Sequence, residues 1–238
     1  MKNIAILITG LTRTYKETFN SFKTNVIESN ADCDIDIYLS FWDKTHDRTF
    51  KAGSVYDSYD PIDSIKTSKD NVIETYNPKN YVELNFDKYY KLLKTQSENP
   101  NLKDLNFVRN KNFTLNSFFC QFYCWKRGIE IISTDINYDL VLKIRFDSIF
   151  NTPIIFSDFT PSVFSSGGWN NTFINDFVFC SNYQNMSFLM REFYDSLLRD
   201  DIVEFKDEFL PEKYITYTIK KHGIEINNKT MTTHIKKL

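Results

Sequence analysis

The sequence predicts an α/β fold in which a mostly parallel sheet is flanked by helices, with mixed strand pairing in the C-terminal third. Two observations support this prediction. Short apolar runs typical of strands alternate with longer stretches whose apolar residues recur every three or four positions, as they do in helices. Such an alternation over the first 150 residues is typical of helices that connect parallel strands.

The size of the chain favours one domain. A chain of 238 residues with 42% hydrophobic composition can bury one sizeable core. We therefore expect residues 1–238 to form a single domain, with the parallel part of the sheet in residues 1–150 and the mixed part in residues 151–238.

The charge and the apolar segments exclude several classes of protein. A formal net charge of −2 is not the basic field that a nucleic-acid or membrane-surface binder needs. The start of the chain has only about six apolar residues after Lys2, too few for the core of a signal peptide. No stretch approaches the roughly 20 apolar residues that span a bilayer. These features predict a cytoplasmic protein with no nucleic-acid partner and no membrane span.

The first strand is predicted at residues 4–10, where an apolar run ends in Gly10. A helix follows, with aromatic and apolar residues at helical spacing at positions 15, 19, 22 and 26. Thr14 and Glu17 form a capping-box pattern, which predicts that this helix begins at Thr14 or Tyr15.

The middle of the chain repeats this alternation. Residues 33–42 alternate Ile and Leu with Asp and Tyr, which predicts a second strand parallel to the first. The further elements predicted before residue 150 are a short helix near 68–76, a strand at 80–86, a long core-facing helix from about 115 to 133, and a strand at 139–146.

The last third predicts mixed pairing. Two short strands are expected around the Gly-Gly-Trp sequence at 167–169, before a helix at 183–199. A second helix is predicted between Pro211 and Gly223, because proline favours a first helical turn and glycine a position just past the end. Residues 224–226 are expected to add an edge strand.

Candidate binding residues follow the predicted strands, because ligands of open α/β sheets bind outside the carboxyl ends of the strands. Gly10 would let the backbone approach a ligand, and Arg13 would make bidentate phosphate contacts beside a helix N-terminus. Trp42 and Asp43 follow the second strand, and the Trp42 ring would offer a stacking face. The structural alternative is that Gly10 makes a strand-to-helix turn and Arg13 is a surface charge.

The sequence LVLKIRFDSIF at 140–150 places Lys143, Arg145 and Asp147 at alternate positions of an apolar strand. Alternate residues of a strand point to one face, and the last two lie at its end. A carboxylate there is suited to hold a divalent cation that bridges a diphosphate, with Arg145 taking further negative charge. The alternative is an Arg145–Asp147 ion pair that closes the strand end.

Six segments together give the chain a family resemblance. They read IAILITGLTRTYKETFNSF, IDIYLSFWDK, YNPKNYVEL, SFFCQFYCWKRGIEI with YDLVLKIRFDSIF, INDFVFCS and PEKYITYTIKKHGI. The chain resembles the small GT-A-type glycosyltransferases of bacterial surface-polysaccharide clusters, phages and large DNA viruses. These enzymes have a Rossmann-like fold. In that group an RxD strand end occupies the place of the DxD motif that binds metal and nucleotide diphosphate. The sequence RFD at 145–147 matches it, with Arg145 in place of the first carboxylate.

The resemblance implies a polysaccharide-biosynthesis enzyme that moves a sugar from a nucleotide-diphosphate sugar to a glycan or lipid-linked acceptor. Residues 1–150 would be the nucleotide-binding half and residues 151–238 the acceptor-side half. A divalent cation, Mn²⁺ or Mg²⁺, is the implied cofactor, with Asp147 as a ligand. His234 lies in the region where many GT-A enzymes supply a further metal ligand.

Three later residues fit the same interpretation. Asp176, expected at the start of a strand, would act as general base or bind sugar hydroxyls; it would otherwise be a turn residue. Trp169 would pack on a sugar ring, or else be a buried or lid residue. Glu212 would orient donor or acceptor, although an acidic residue in a first helical turn needs no function. A non-catalytic nucleotide- or glycan-binding module, with RFD only as an ion pair, is the alternative function.

Overall fold

A seven-stranded sheet organises the chain in the order β10-β8-β9-β6-β1-β2-β5. The computed structural model describes residues 1–12, 14–46, 64–66, 68–89, 115–169, 173–199, 211–227 and 233–235. The strands of this sheet are β1 (Asn3–Gly10), β2 (Asp34–Trp42), β5 (Asn80–Leu84), β6 (Leu140–Arg145), β8 (Phe164–Trp169), β9 (Phe173–Ser181) and β10 (Ile226–Asn227). Strand β9 runs antiparallel to β6 and β8, and the other neighbouring pairs are parallel. The α/β prediction, with mixed pairing after residue 150, is confirmed.

Two small antiparallel pairs lie beside this sheet. One joins β3 (Lys44–His46) to β4 (Ser64–Lys66), and the other joins β7 (Ser148–Phe150) to β11 (Thr233–Ile235). The sequence did not predict these four short strands, because three residues are too few to show a period.

Helices cover both faces of the sheet. They are α1 (Tyr15–Phe22), α2 (Lys69–Tyr76), α3 (Leu115–Glu130), α4 (Tyr183–Leu198) and α5 (Pro211–Lys221). Core residues of α1 and α2 pack with one face of the central strands, and core residues of α3, α4 and α5 pack with the other. Strand β1 is buried on both sides because residues 4–8 are all apolar. Within the described residues, no helix has the length and apolar character that a membrane crossing needs.

Most predicted elements are confirmed within a few residues, but two local predictions are wrong. Helix α1 begins at Tyr15 as expected, yet the Thr14 side chain makes no capping hydrogen bond and its Oγ1 is buried without a partner. The Gly-Gly-Trp sequence lies inside β8 rather than in a turn, next to a register shift between Ser166 and Gly168.

Gly128 explains how closely α3 approaches the sheet. A Cβ atom at this position would lie 2.8 Å from Leu7 Cδ1 and 3.0 Å from Ser40 Cβ. The Ser40 hydroxyl also donates to the Cys124 carbonyl at 2.8 Å, which ties the same helix to β2. The missing side chain of Gly128 therefore lets the helix pack directly on β1 and β2.

We expect Gly128→Ala to lower stability, although alanine favours a helix over glycine by about 1 kcal/mol. The extra methyl group must displace buried Leu7 or separate α3 from Ser40, which costs about 1–3 kcal/mol when a packed core is overfilled. Urea unfolding measures the change, with Glu74→Ala on the exposed side of α2 as the control. An unchanged or raised urea midpoint for Gly128→Ala would show that α3 does not pack tightly on the sheet at this position.

Candidate functional site

The turn that joins β6 to β7 carries the RFD sequence and is anchored on the face of the sheet that α1 and α2 cover. Phe146 is buried on the side of α1 and α2, and its ring centroid lies 5.5 Å from that of Tyr76. The Thr18 hydroxyl of α1 donates to the Phe146 carbonyl at 2.5 Å. Arg145 and Asp147 flank Phe146 and pair with each other, away from this core.

Arg145 and Asp147 form a bidentate ion pair. Arg145 Nε donates to Asp147 Oδ1 and Nη2 donates to Oδ2, each at 2.8 Å. Asp147 is only 2% exposed, whereas 24% of the Arg145 side chain is exposed. The ion pair that the sequence offered as an alternative is therefore present. It orients the guanidinium toward the neighbouring strand β9.

Asp176, which lies in β9, is a second carboxylate close to the same guanidinium. Its Oδ2 lies 3.8 Å from Arg145 Nη1 and accepts a hydrogen bond from Gln121 Nε2 of α3 at 2.7 Å. The Arg145 Cζ atom also lies 5.0 Å from the centroid of the Phe177 ring. Asp176 is 5% exposed and lies within β9, not at the start of a strand as predicted. One arginine thus contacts carboxylates from two parts of the chain.

Glu212, in the first turn of α5, joins this group electrostatically. Partial burial, and then the negative charge of Asp176, raise the pKa of Glu212 to about 7 from an ordinary value of 4.5. A carboxyl group with such a pKa exchanges a proton near neutral pH, as a general acid or base must.

Two further residues that contact Asp176 were not assigned a role from the sequence. Gln121 is a single polar residue within the aromatic run of α3, and this break in the apolar pattern is the signal that could have marked it. Lys143, noted for its place in an apolar strand, donates through Nζ to the carbonyl of Asp176.

Gly10 lies beside this group at the carboxyl end of β1. Its φ of +110° belongs to the region that glycine adopts without strain, and its neighbour Thr9 pairs in register with Arg145. The strand ends of β1 and β6 therefore meet, as the sequence predicted. Arg13 lies outside the described residues, so its phosphate contact stays a prediction.

Trp42 and Asp43 have structural partners at the end of β2. The Trp42 ring is 3% exposed and packs against the rings of Phe86, Tyr89 and Tyr123. The Asp43 carboxylate accepts hydrogen bonds from the Phe86 amide and from the Asn85 side chain, at 2.9 and 2.8 Å. Nucleotide stacking by Trp42 stays a prediction that this packing does not support.

Backbone placement brings His234 close to the RFD turn. His234 in β11 is paired with Ile149 of β7, two residues after Asp147. Trp169 is the last residue of β8, where it pairs with Phe173. Their predicted roles, as a metal ligand and as a sugar platform, stay predictions.

The described residues do not fit a metal ion at Asp147. Both of its carboxylate oxygens accept hydrogen bonds from Arg145, which competes with a cation for the same lone pairs. Within the described parts of the chain, no group of three His, Cys, Asp or Glu side chains is arranged to hold a metal. A divalent cation stays a prediction.

Comparison with known proteins finds similarity in structure but not in sequence. No protein-family model and no curated protein sequence matches the chain. Among solved structures, the apo form of mouse xyloside xylosyltransferase 1 is similar, with 10% identity and a TM-score of 0.45. The alignment covers 95% of this chain and 84% of that chain.

We expect Glu212 to make stability depend on pH. Because its pKa is raised in the fold, the native state keeps a proton that the unfolded chain releases between pH 4.5 and about 7. Stability should therefore fall as pH rises through that window. Glu212→Gln should remove this loss, which we place on the order of 1 kcal/mol because the side chain is partly exposed.

Urea unfolding of both proteins below and above this window measures the effect. The stability of Glu212→Gln relative to wild type should increase with pH. Parallel pH dependences for the two proteins would contradict the raised pKa. Glu225→Gln, which changes an exposed glutamate just beyond α5, serves as the control.

Proposed function

We propose that the chain is a GT-A-like glycosyltransferase that moves a sugar from a nucleotide-diphosphate sugar to a hydroxyl of a glycan or lipid-linked acceptor. The observation that supports this most is Arg145, which lies at the carboxyl end of a parallel strand between the carboxylates of Asp147 and Asp176. The sequence resemblance independently supports the same class.

The donor would lie across the carboxyl ends of β1 and β6. Transfer forms a bond between the acceptor oxygen and the anomeric carbon and breaks the bond from that carbon to the diphosphate. Negative charge then grows on the diphosphate, and a positioned guanidinium stabilises it because its charge and donors are already oriented. Arg145 suits this role, since Asp147 holds it in place and part of its side chain reaches solvent.

The acceptor hydroxyl must lose its proton as the new bond forms. Glu212 has a pKa of about 7, so near neutral pH a large fraction is ionised and ready to accept that proton. Asp176 supplies the neighbouring negative charge, and it stays the alternative base that the sequence suggested. Gln121 fixes the Asp176 carboxylate by its hydrogen bond.

A non-catalytic nucleotide- or glycan-binding module is the second candidate. The observation in its favour is the bidentate Arg145–Asp147 pair, because a pair that only closes a strand end would look the same. Such a module would bind a nucleotide diphosphate without breaking a sugar–phosphate bond.

Release of nucleotide diphosphate from a panel of nucleotide-diphosphate sugars tests the proposal. We expect at least one donor to be hydrolysed slowly by wild type, and faster when a suitable glycan acceptor is present. Glu212→Gln should lower acceptor-dependent turnover by about 100-fold or more, the usual contribution of a general base. Glu225→Gln should turn over like wild type.

The same panel separates the two candidates. Thermal stabilisation by a nucleotide diphosphate without any release from its sugars would favour the binding module and contradict the transferase. Parallel reactions with Mn²⁺ and with a chelator test the predicted cation. Loss of nucleotide-diphosphate release in the chelator would show that a cation is required.

A further inference from the structure

Lys143 is a buried cation that the proposed chemistry does not use. It is 0% exposed, in the middle of β6. Its ammonium lies 4.0 Å from the centroid of the Trp125 ring and 4.9 Å from that of Phe179, and it donates to the carbonyl of Asp176. An ammonium is costly to bury unless it is well paired, so a structural core would be better served by an apolar side chain.

The position of Lys143 in the sheet explains what this contact does. The ladder between β6 and β9 ends at the pair Lys143–Phe179, although β6 continues to Arg145 and β9 begins at Phe173. Beyond that pair, β9 keeps its ladder with β8, where Phe173 pairs with Trp169 and Ile174 with Gly168. The Lys143 ammonium therefore holds Asp176 in the part of β9 that has left the ladder with β6.

We propose that Lys143 is a positioning residue of the transfer site, whose ammonium fixes the Asp176 backbone so that its carboxylate meets Arg145 and Gln121. The contact sets the distance between the two strands where the site opens. Its consequence for turnover rests on the proposed function, whereas the contact itself can be tested without any substrate.

The surroundings of Lys143 make the contact sensitive to pH. Burial lowers the pKa of Lys143 to about 7, and of the charges that face it, Asp176 of β9 acts against this shift. Arg145 of β6 lowers the pKa further, while Cys124 of α3 and Asp147 of the following turn raise it. The ammonium is therefore present below about pH 7 and is lost as pH rises above it, which weakens the hydrogen bond to Asp176.

Lys143→Met tests the role in turnover, because methionine keeps most of the length and removes the charge. We expect kcat for nucleotide-sugar turnover to fall by about 10- to 100-fold, the scale of a small misplacement of reacting groups. The KM for the donor should change little, and the melting temperature should stay or rise. Lys220→Met, on the exposed side of α5, should match wild type. A wild-type kcat would overturn the proposal, whether or not the melting temperature is lowered.

The carbonyl carbon of Asp176 reports on the contact directly, even if Lys143→Met does not fold. In ¹³C-labelled wild type its NMR signal should shift between about pH 5 and about pH 9 as the ammonium is lost. The shift should persist in Glu212→Gln, which removes the neighbouring carboxyl that titrates in the same range. A carbonyl signal that does not move in that variant, while the ¹⁵N signal of Lys143 Nζ shows that the ammonium is lost, would overturn the proposal.

The two measurements separate the proposals. A shifting Asp176 carbonyl in a wild type that releases nucleotide diphosphate from no donor would overturn the proposed function and, with it, the role of Lys143 in transfer. Turnover by wild type together with a carbonyl that does not move as Lys143 loses its proton would overturn the positioning role alone.

Discussion

Arg145 lies between two buried carboxylates, and the rest of the site depends on this arrangement. Asp147 and Asp176 are nearly inaccessible to water, so each needs a positive partner in the protein. Removing one member of such a group typically costs about 3–5 kcal/mol, because the others remain buried without compensation. The RFD turn and strand β9 are thereby tied together at the place where the parallel sheet meets its antiparallel strand.

The charges of this group are nearly balanced before any ligand arrives. Arg145 and, below about pH 7, Lys143 offset Asp147 and Asp176, and Glu212 is partly protonated near neutral pH. A nucleotide diphosphate would add negative charge. The two cations are already paired with carboxylates and would neutralise it only in part. Arg13 or a divalent cation, both predicted from the sequence, would supply the missing positive charge.

Local patterns predicted the elements far better than the site. The apolar periods of β1, β2, α3 and α4 are long enough to show their type, and the inward residues of α4 at 186, 189, 190, 193 and 197 are all buried. The contact between Asp176 and Arg145 depends on β9 pairing with β6, a long-range choice that no local pattern encodes. Trp42 was expected to face a ligand, but a neighbouring aromatic cluster covers it, and only the packing of separate elements could show that.

A double-mutant cycle between Arg145 and Asp176, measured as kcat/KM for the nucleotide-sugar donor, tests most directly whether these residues act as one unit. Arg145→Met, Asp176→Asn and the double variant would be compared with wild type. Residues that act together are strongly non-additive, so the double variant should lose little more activity than the worse single variant. Losses that multiply would show two independent contributions and contradict an arginine-centred transfer site.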